Sequence, residues 1–204
     1  MLVRPVVPSI CALLAASAAA LPAQESLSDV TSTPEGAAAL FLRSVRAIRW
    51  SATAQLVHPE TLERFRTTVT LMSDADAGGQ LRAYLTDTDS AAYLALDAPE
   101  VFERAVGAMV DDMPGLMHAL YDREDEVLGH VPEGDTLAHA VYRTTARISG
   151  AVSQVEVMQE ARTNEGWRVL WSTELEVLDA ALRGVPRGRL PPPGGQSGPQ
   201  QPPP

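Results

Sequence analysis

The sequence predicts an α+β fold, with N-terminal helices packed on a curved, cone-like antiparallel meander of four or more strands. Three observations carry this. Between about 126 and 178, apolar segments alternate with short turns holding the Gly, Pro, Asn or Asp that a tight reversal needs. Ahead of that block, apolar residues recur at helical spacing behind N-cap residues. Helices first and strands afterwards place the helices on one face of a sheet.

The elements follow in chain order. Residues 1–23 read as a secretory signal: Arg4 supplies the positive start, 10–16 the apolar run, and Ala18, Ala20 and Ala23 the small residues of a cleavage site. Residues 24–32 form a polar lead-in. A single domain spans 33–182. It opens with Thr33 as N-cap, Pro34 at the first helical position and Glu35 in the first turn. Ala37, Leu40, Phe41, Val45 and Ile48 give that helix an apolar stripe ending near Trp50. A short helical segment covers 51–57, and Pro59-Glu60 starts a helix with Leu62, Phe65, Val69 and Met72 on one face. Residues 74–80 read as a loop, 81–85 fit strand and helix equally, and 89–96 read as helix. Asp97 then caps a longer helix with Val101, Phe102, Ala105, Val106 and Met109 inward. Pro114-Gly115 breaks the pattern, 116–121 add a last helical turn or two, and 122–126 are an acidic linker.

Four strands are expected at 128–131, 137–148, 152–162 and 167–178. Period-two parity places Val155 and Val157 on one inner face. The same rule groups Trp167, Val169, Trp171, Leu175 and Val177 inside, opposite Arg168, Glu174 and Glu176. Strand 137–148 has two mixed faces, which fits both faces being partly covered or one face lining a polar pocket. Residues 183–204 hold Pro, Gly, Gln and Arg with few apolar side chains and read as a disordered tail.

Composition narrows the function classes. Cys11 is the only cysteine and lies in the leader, so the mature chain offers no disulfide, thiolate ligand or cysteine nucleophile. The formal net charge is -10, every basic residue is an arginine, and no basic stripe exists for nucleic acid or an anionic membrane. Arg43, Arg46 and Arg49 cluster on the first helix and read as a solvated face. The leader implies a periplasmic or secreted protein with no membrane span after cleavage.

Helices 37–50 and His58-Pro59-Glu60, followed by a final hairpin 155–171 carrying the Gly166-Trp167 turn, resemble the nuclear-transport-factor-2-like superfamily, also called SnoaL-like or ketosteroid-isomerase-like. The resemblance covers most of 33–178. It implies a cone-shaped sheet closed by helices. In active members, a pocket His or carboxylate moves a proton beside a carbonyl and a Tyr stabilises the oxyanion. No catalytic motif carries over residue by residue. The first strand of that family has only 81–85 as its counterpart here.

Other motifs fail on their own chemistry. His58-Pro59-Glu60 matches half of a zinc deaminase signature whose cysteine half is missing. Asp74 and Asp76 start like a calcium loop, but Leu85 stands where the bidentate Glu belongs. Asp122, Glu124, Asp125 and Glu126, near His118, read as a charged surface turn. His58, His118, His130 and His139 lack metal-ligand spacing, and there is no phosphate loop or G-x-S-x-G elbow. No cofactor is expected.

What remains is a set that a cone could gather around a pocket: Trp50, Tyr84, Tyr93, His139, Tyr142 and Trp171. The plainer alternative is that these are core aromatics with satisfied polar tips. The expected function is an exported, non-enzymatic binding or interaction module for a small apolar molecule or another envelope protein. The alternative is a small isomerase, dehydratase or cyclase with His139 or Tyr142 handling the proton.

Overall fold

A computed structural model describes residues 27–74, 80–113, 115, 122–146 and 152–184. The leader, the loop at 75–79, the turn at 116–121 with His118, and the tail beyond 184 lie outside the described residues. The helices are α1 (Leu27–Val30), α2 (Pro34–Arg46), α3 (Trp50–Leu56), α4 (Pro59–Asp74), α5 (Gln80–Thr86), α6 (Ser90–Ala95) and α7 (Ala98–Asp112). Strands β1 (Arg123–Glu133), β2 (Leu137–Ala146), β3 (Val152–Thr163) and β4 (Gly166–Trp171) follow, and α8 (Thr173–Gly184) closes the described chain. The sheet is an antiparallel meander in the order β1-β2-β3-β4. The α+β expectation holds.

Local chemistry places the helix starts. Thr33 accepts a hydrogen bond from the Gly36 N–H at 3.2 Å, with Pro34 in the first turn. Asp97 and Glu100 form a reciprocal capping box at the head of α7. His58 accepts from the Glu60 N–H through Nδ1, a helix-start role. Helix α7 runs through the helical core. Its Phe102 meets Phe65 of α4 edge to face, centroids 5.1 Å apart. The ambiguous segment 81–85 is helical, so it supplies no early strand.

Four expectations are corrected. The lead-in 24–32 is not merely polar spacer, because it holds α1 and the fully buried Thr31. Thr31 accepts from the Trp167 N–H at 2.8 Å. Gly166 makes the approach possible: its φ is +109, and a Cβ there would lie 2.5 Å from Thr31 Oγ1.

The acidic run is strand β1 and not a surface turn. Its residues alternate in exposure, and Asp125 is turned inward.

Val155 and Val157 face outward, 61% and 52% exposed, while Met158 and Glu160 are buried. The register explains it. The two-residue turn Asn164-Glu165 sets Trp167 opposite Arg162 and Val169 opposite Glu160. Inward Trp167 and Val169 therefore pull Glu160 and Met158 inward. Pairing with β2 does the same, setting Ala138 against Glu160 and Ala140 against Met158. Small Ala138 and Ala140 leave room for α2 to lie across this face.

The expected last strand ends at Trp171. Ser172 accepts from the Leu175 N–H through Oγ at 3.3 Å and starts α8. Leu175, Leu178 and Leu182 are its buried stripe, Val177 is exposed, and Glu174 is buried. A register shift also turns Trp171 opposite Gln159, so this ring is only half-buried: it packs against the margin of the core, beneath Arg64 of α4.

Candidate functional site

Two groups of polar side chains stand out, and they differ in access. The first lies on the inner face where β1, β2, β3 and α8 meet. The Tyr142 hydroxyl lies 3.0 Å from both Glu156 Oε2 and Glu174 Oε1. Arg123 donates to Glu174 Oε1 at 2.8 Å and lies 3.3 Å from Asp125 Oδ2. Thr144 donates to Asp125 Oδ1 at 2.9 Å. Burial and then Glu174 push the Tyr142 hydroxyl far above the usual phenol range. Burial works against the Arg123 charge, but Glu174 and Asp125 together hold its pKa above the ordinary value. Burial raises Asp125 despite the adjacent Arg123. Tyr142 is 0% exposed and Glu174 1%. Apart from the buried Arg123 Nε, which faces Asp125 without a hydrogen bond, the group bonds among its own members and acts as a structural clasp between sheet and α8.

The second group is open. Helix α2 ends in a Schellman turn, with Ile48 N–H on Val45 C=O and Arg49 N–H on Ser44 C=O, both 3.0 Å. The left-handed position of that motif normally holds Gly. Here it holds β-branched Ile48 at φ 53, a strained choice. The turn sends Ala47 and Arg49 toward α3. Ser44 Oγ and Thr53 Oγ1, 2.9 Å apart, tie α3 back to α2.

Between α1, α2 and α3 lies a cavity of about 200 Å³, lined by Leu27, Leu40, Ala47, Ala52 and Leu56 with Arg43, Ser44, Arg49 and Gln55. On the other flank of α2, a cleft of about 330 Å³ is lined by Arg43, Arg46, Asp125 and Val127 among others. Arg43 lines both. Arg43, Arg46 and Arg49 make no ion pair among the described residues. These guanidinium groups form a ridge that separates an apolar cavity from a polar cleft, and across that cleft Arg46 is close enough to Asp125 to interact with its charge. Arg43 and Arg46, in the last turn of α2, are electrostatically favoured there, whereas Arg49 stands at the N-cap of α3, where a helix dipole disfavours a cation.

The six residues expected around one pocket are dispersed. Trp50 is buried at the start of α3, facing Gly107 of α7, and its Nε1 has no hydrogen-bond partner among the described residues. Tyr84 donates to Asp112, and burial with that carboxylate raises its pKa to about 12. Tyr93 is buried with its hydroxyl 2.8 Å from Thr70 Oγ1. His139 points to the outer face, 2.7 Å from Glu133, while Tyr142 of the same strand points inward. Trp171 lies under the Arg64 guanidinium at the edge of the sheet. His139 and Tyr142 therefore cannot serve one pocket on one face. The ridge residues were visible in the sequence as a cluster. What the sequence did not disclose was that β1 brings Asp125 beside Arg46 across the cleft, while Arg43 and Arg49 make no ion pair among the described residues.

Among the described residues no group of three or more His, Cys, Asp or Glu is arranged to hold a metal ion. No described helix is long and apolar enough to cross a membrane. No protein-family model, curated protein or solved structure matches this chain.

Proposed function

We propose that the protein is a non-enzymatic binding module for a small molecule with an apolar body and an anionic group. The apolar part occupies the α1–α2–α3 cavity, and the anion is held by Arg43 and Arg49 at its rim. The observation that carries this reading is that Arg43 and Arg49, without an ion pair among the described residues, line an apolar cavity in a chain of net charge -10. An acidic protein has carboxylates to spare, so arginines left without them are free for a ligand. A short hydrocarbon chain gains by leaving water, and a charge-assisted hydrogen bond fixes its end. The enzymatic alternative is weaker because Tyr142, the proton-handling candidate on the inner face, is sealed within its own carboxylates.

Export to the periplasm or the medium belongs to the same proposal and rests on the leader-like 1–23. Membership of the SnoaL-like superfamily is likewise proposed, on helices followed by a four-stranded meander; the helical 81–85 counts against it.

Octanoate is a suitable probe for the ligand-binding reading. It should raise the melting temperature of the protein and leave an Ala52→Trp variant, whose cavity is filled, unmoved. Absence of a shift in the unmodified protein, or an equal shift in Ala52→Trp, would contradict the proposal.

A further inference from the structure

We propose a second, independent binding site in the cleft between α4 and α8, suited to a planar carboxylate. The cleft has a volume of about 640 Å³ and is lined by Arg64, Thr67, Thr68, Leu71, Met72 and Arg183. That volume lies within the range of small-ligand sites. The cleft shares no lining residue with the cavity and cleft flanking α2.

Three features give it a chemical preference. The Arg64 guanidinium carbon lies 4.4 Å from the centroid of the Trp171 ring. That cation–π contact restrains the side chain, and the same residue lines the cleft. Arg64 makes no ion pair among the described residues. Across the cleft, Arg183 is ion-paired with Asp179, which compensates its charge but leaves it a donor. Asp179 takes its Nε at 2.9 Å and Nη2 at 3.3 Å, which orients the guanidinium and leaves Nη1 unused. The Thr67 hydroxyl has no partner among the described residues, whereas Thr68 donates to Arg64 C=O. Leu71, 65% exposed, and Met72 supply an apolar wall.

A carboxylate would bridge Arg64 and Arg183. A flat aromatic hydrocarbon attached to it would lie against the Arg64 guanidinium. The apolar wall favours an organic anion over a bare inorganic one.

The test is calorimetric titration of the protein with 2-naphthoate, with cyclohexanecarboxylate and inorganic phosphate as comparisons. Naphthoate should bind most tightly of the three. Arg64→Gln should weaken it at least about tenfold, the loss expected when a charge-assisted hydrogen bond is removed. Arg43→Gln, on the other site, should keep the naphthoate-induced change in tryptophan emission that Arg64→Gln loses, which separates failure here from failure of the α2 reading. Arg64 is exposed, so the variant should fold, and its circular dichroism and melting temperature check this. In the unmodified protein, naphthoate should also change the tryptophan emission, and Trp171→Leu should abolish that change. No naphthoate binding, equal binding by Arg64→Gln, or phosphate binding as tightly as naphthoate would overturn the proposal.

Discussion

Glu160 should make this protein lose stability as pH rises through neutrality. Its side chain is 0% exposed on the inner face, and neither carboxyl oxygen has a hydrogen-bond partner among the described residues. It stands in the sheet between Ala138 and Val169. Burial, with a smaller push from the Glu35 carboxylate, raises its pKa from 4.5 to about 9. The unfolded chain releases this proton above about 4.5, whereas the native state keeps it until about 9. Between those values the native state binds more protons, so raising the pH favours unfolding. The slope is roughly 1.4 kcal/mol per pH unit, and the whole window amounts to about 6 kcal/mol. That is comparable to the total stability of an ordinary domain.

Glu160→Gln removes the titration while keeping the shape. Urea unfolding of both proteins at pH 5, 7 and 9 reads the effect. Near pH 5 the two should agree within about 1 kcal/mol, because a protonated Glu and a Gln are similar neutral groups. At pH 9 the variant should be the more stable by several kcal/mol. Equal pH dependence in the two proteins would refute the reasoning, and would mean that Glu160 reaches water or a partner.

Three further substitutions probe the architecture. Gly166→Ala should cost more than about 2 kcal/mol in denaturant melts, because it combines a positive φ with a Cβ driven into Thr31; a neutral result would mean that α1 is not docked on the β3–β4 turn. Met158→Ala should cost about 2–5 kcal/mol, while Val157→Thr should stay within about 0.5 kcal/mol. The reverse order would restore the opposite parity of β3. Tyr142→Phe should cost about 1–3 kcal/mol by leaving buried carboxylates short of a donor; an unaffected melting curve would show that the clasp contributes little.

Much of the helical half was legible because its signals are local. Thr33-Pro34-Glu35 and Asp97-Ala98-Pro99-Glu100 announce helix starts within four residues, and both helices begin there. The meander was legible from its turns. Sheet parity was not, because Val155 and Val157 look like core and Glu160 does not. The hairpin register overrides that preference: once Trp167 is inside, its partners are determined, and a carboxyl is buried as a consequence. This could have been read from the two-residue turn Asn164-Glu165 by counting outward. Residues 173–182 fit both periods over Leu175 and Val177. Only the continuation to Leu178 and Leu182, behind Ser172, selects the helix. The binding ridge was half legible. Its arginines were evident, but a cavity between α1, α2 and α3 needs the Schellman turn at Ile48, where the expected glycine is absent.

The ridge is tested most directly by calorimetric titration of octanoate into the protein and into an Arg43→Gln, Arg49→Gln double variant. Octanoate should bind the unmodified protein and bind the double variant at least about tenfold more weakly, with 1-octanol, which lacks the charge, binding both alike. Octanoate affinity unchanged by loss of both arginines would contradict the assignment of the α2 ridge as an anion-holding site.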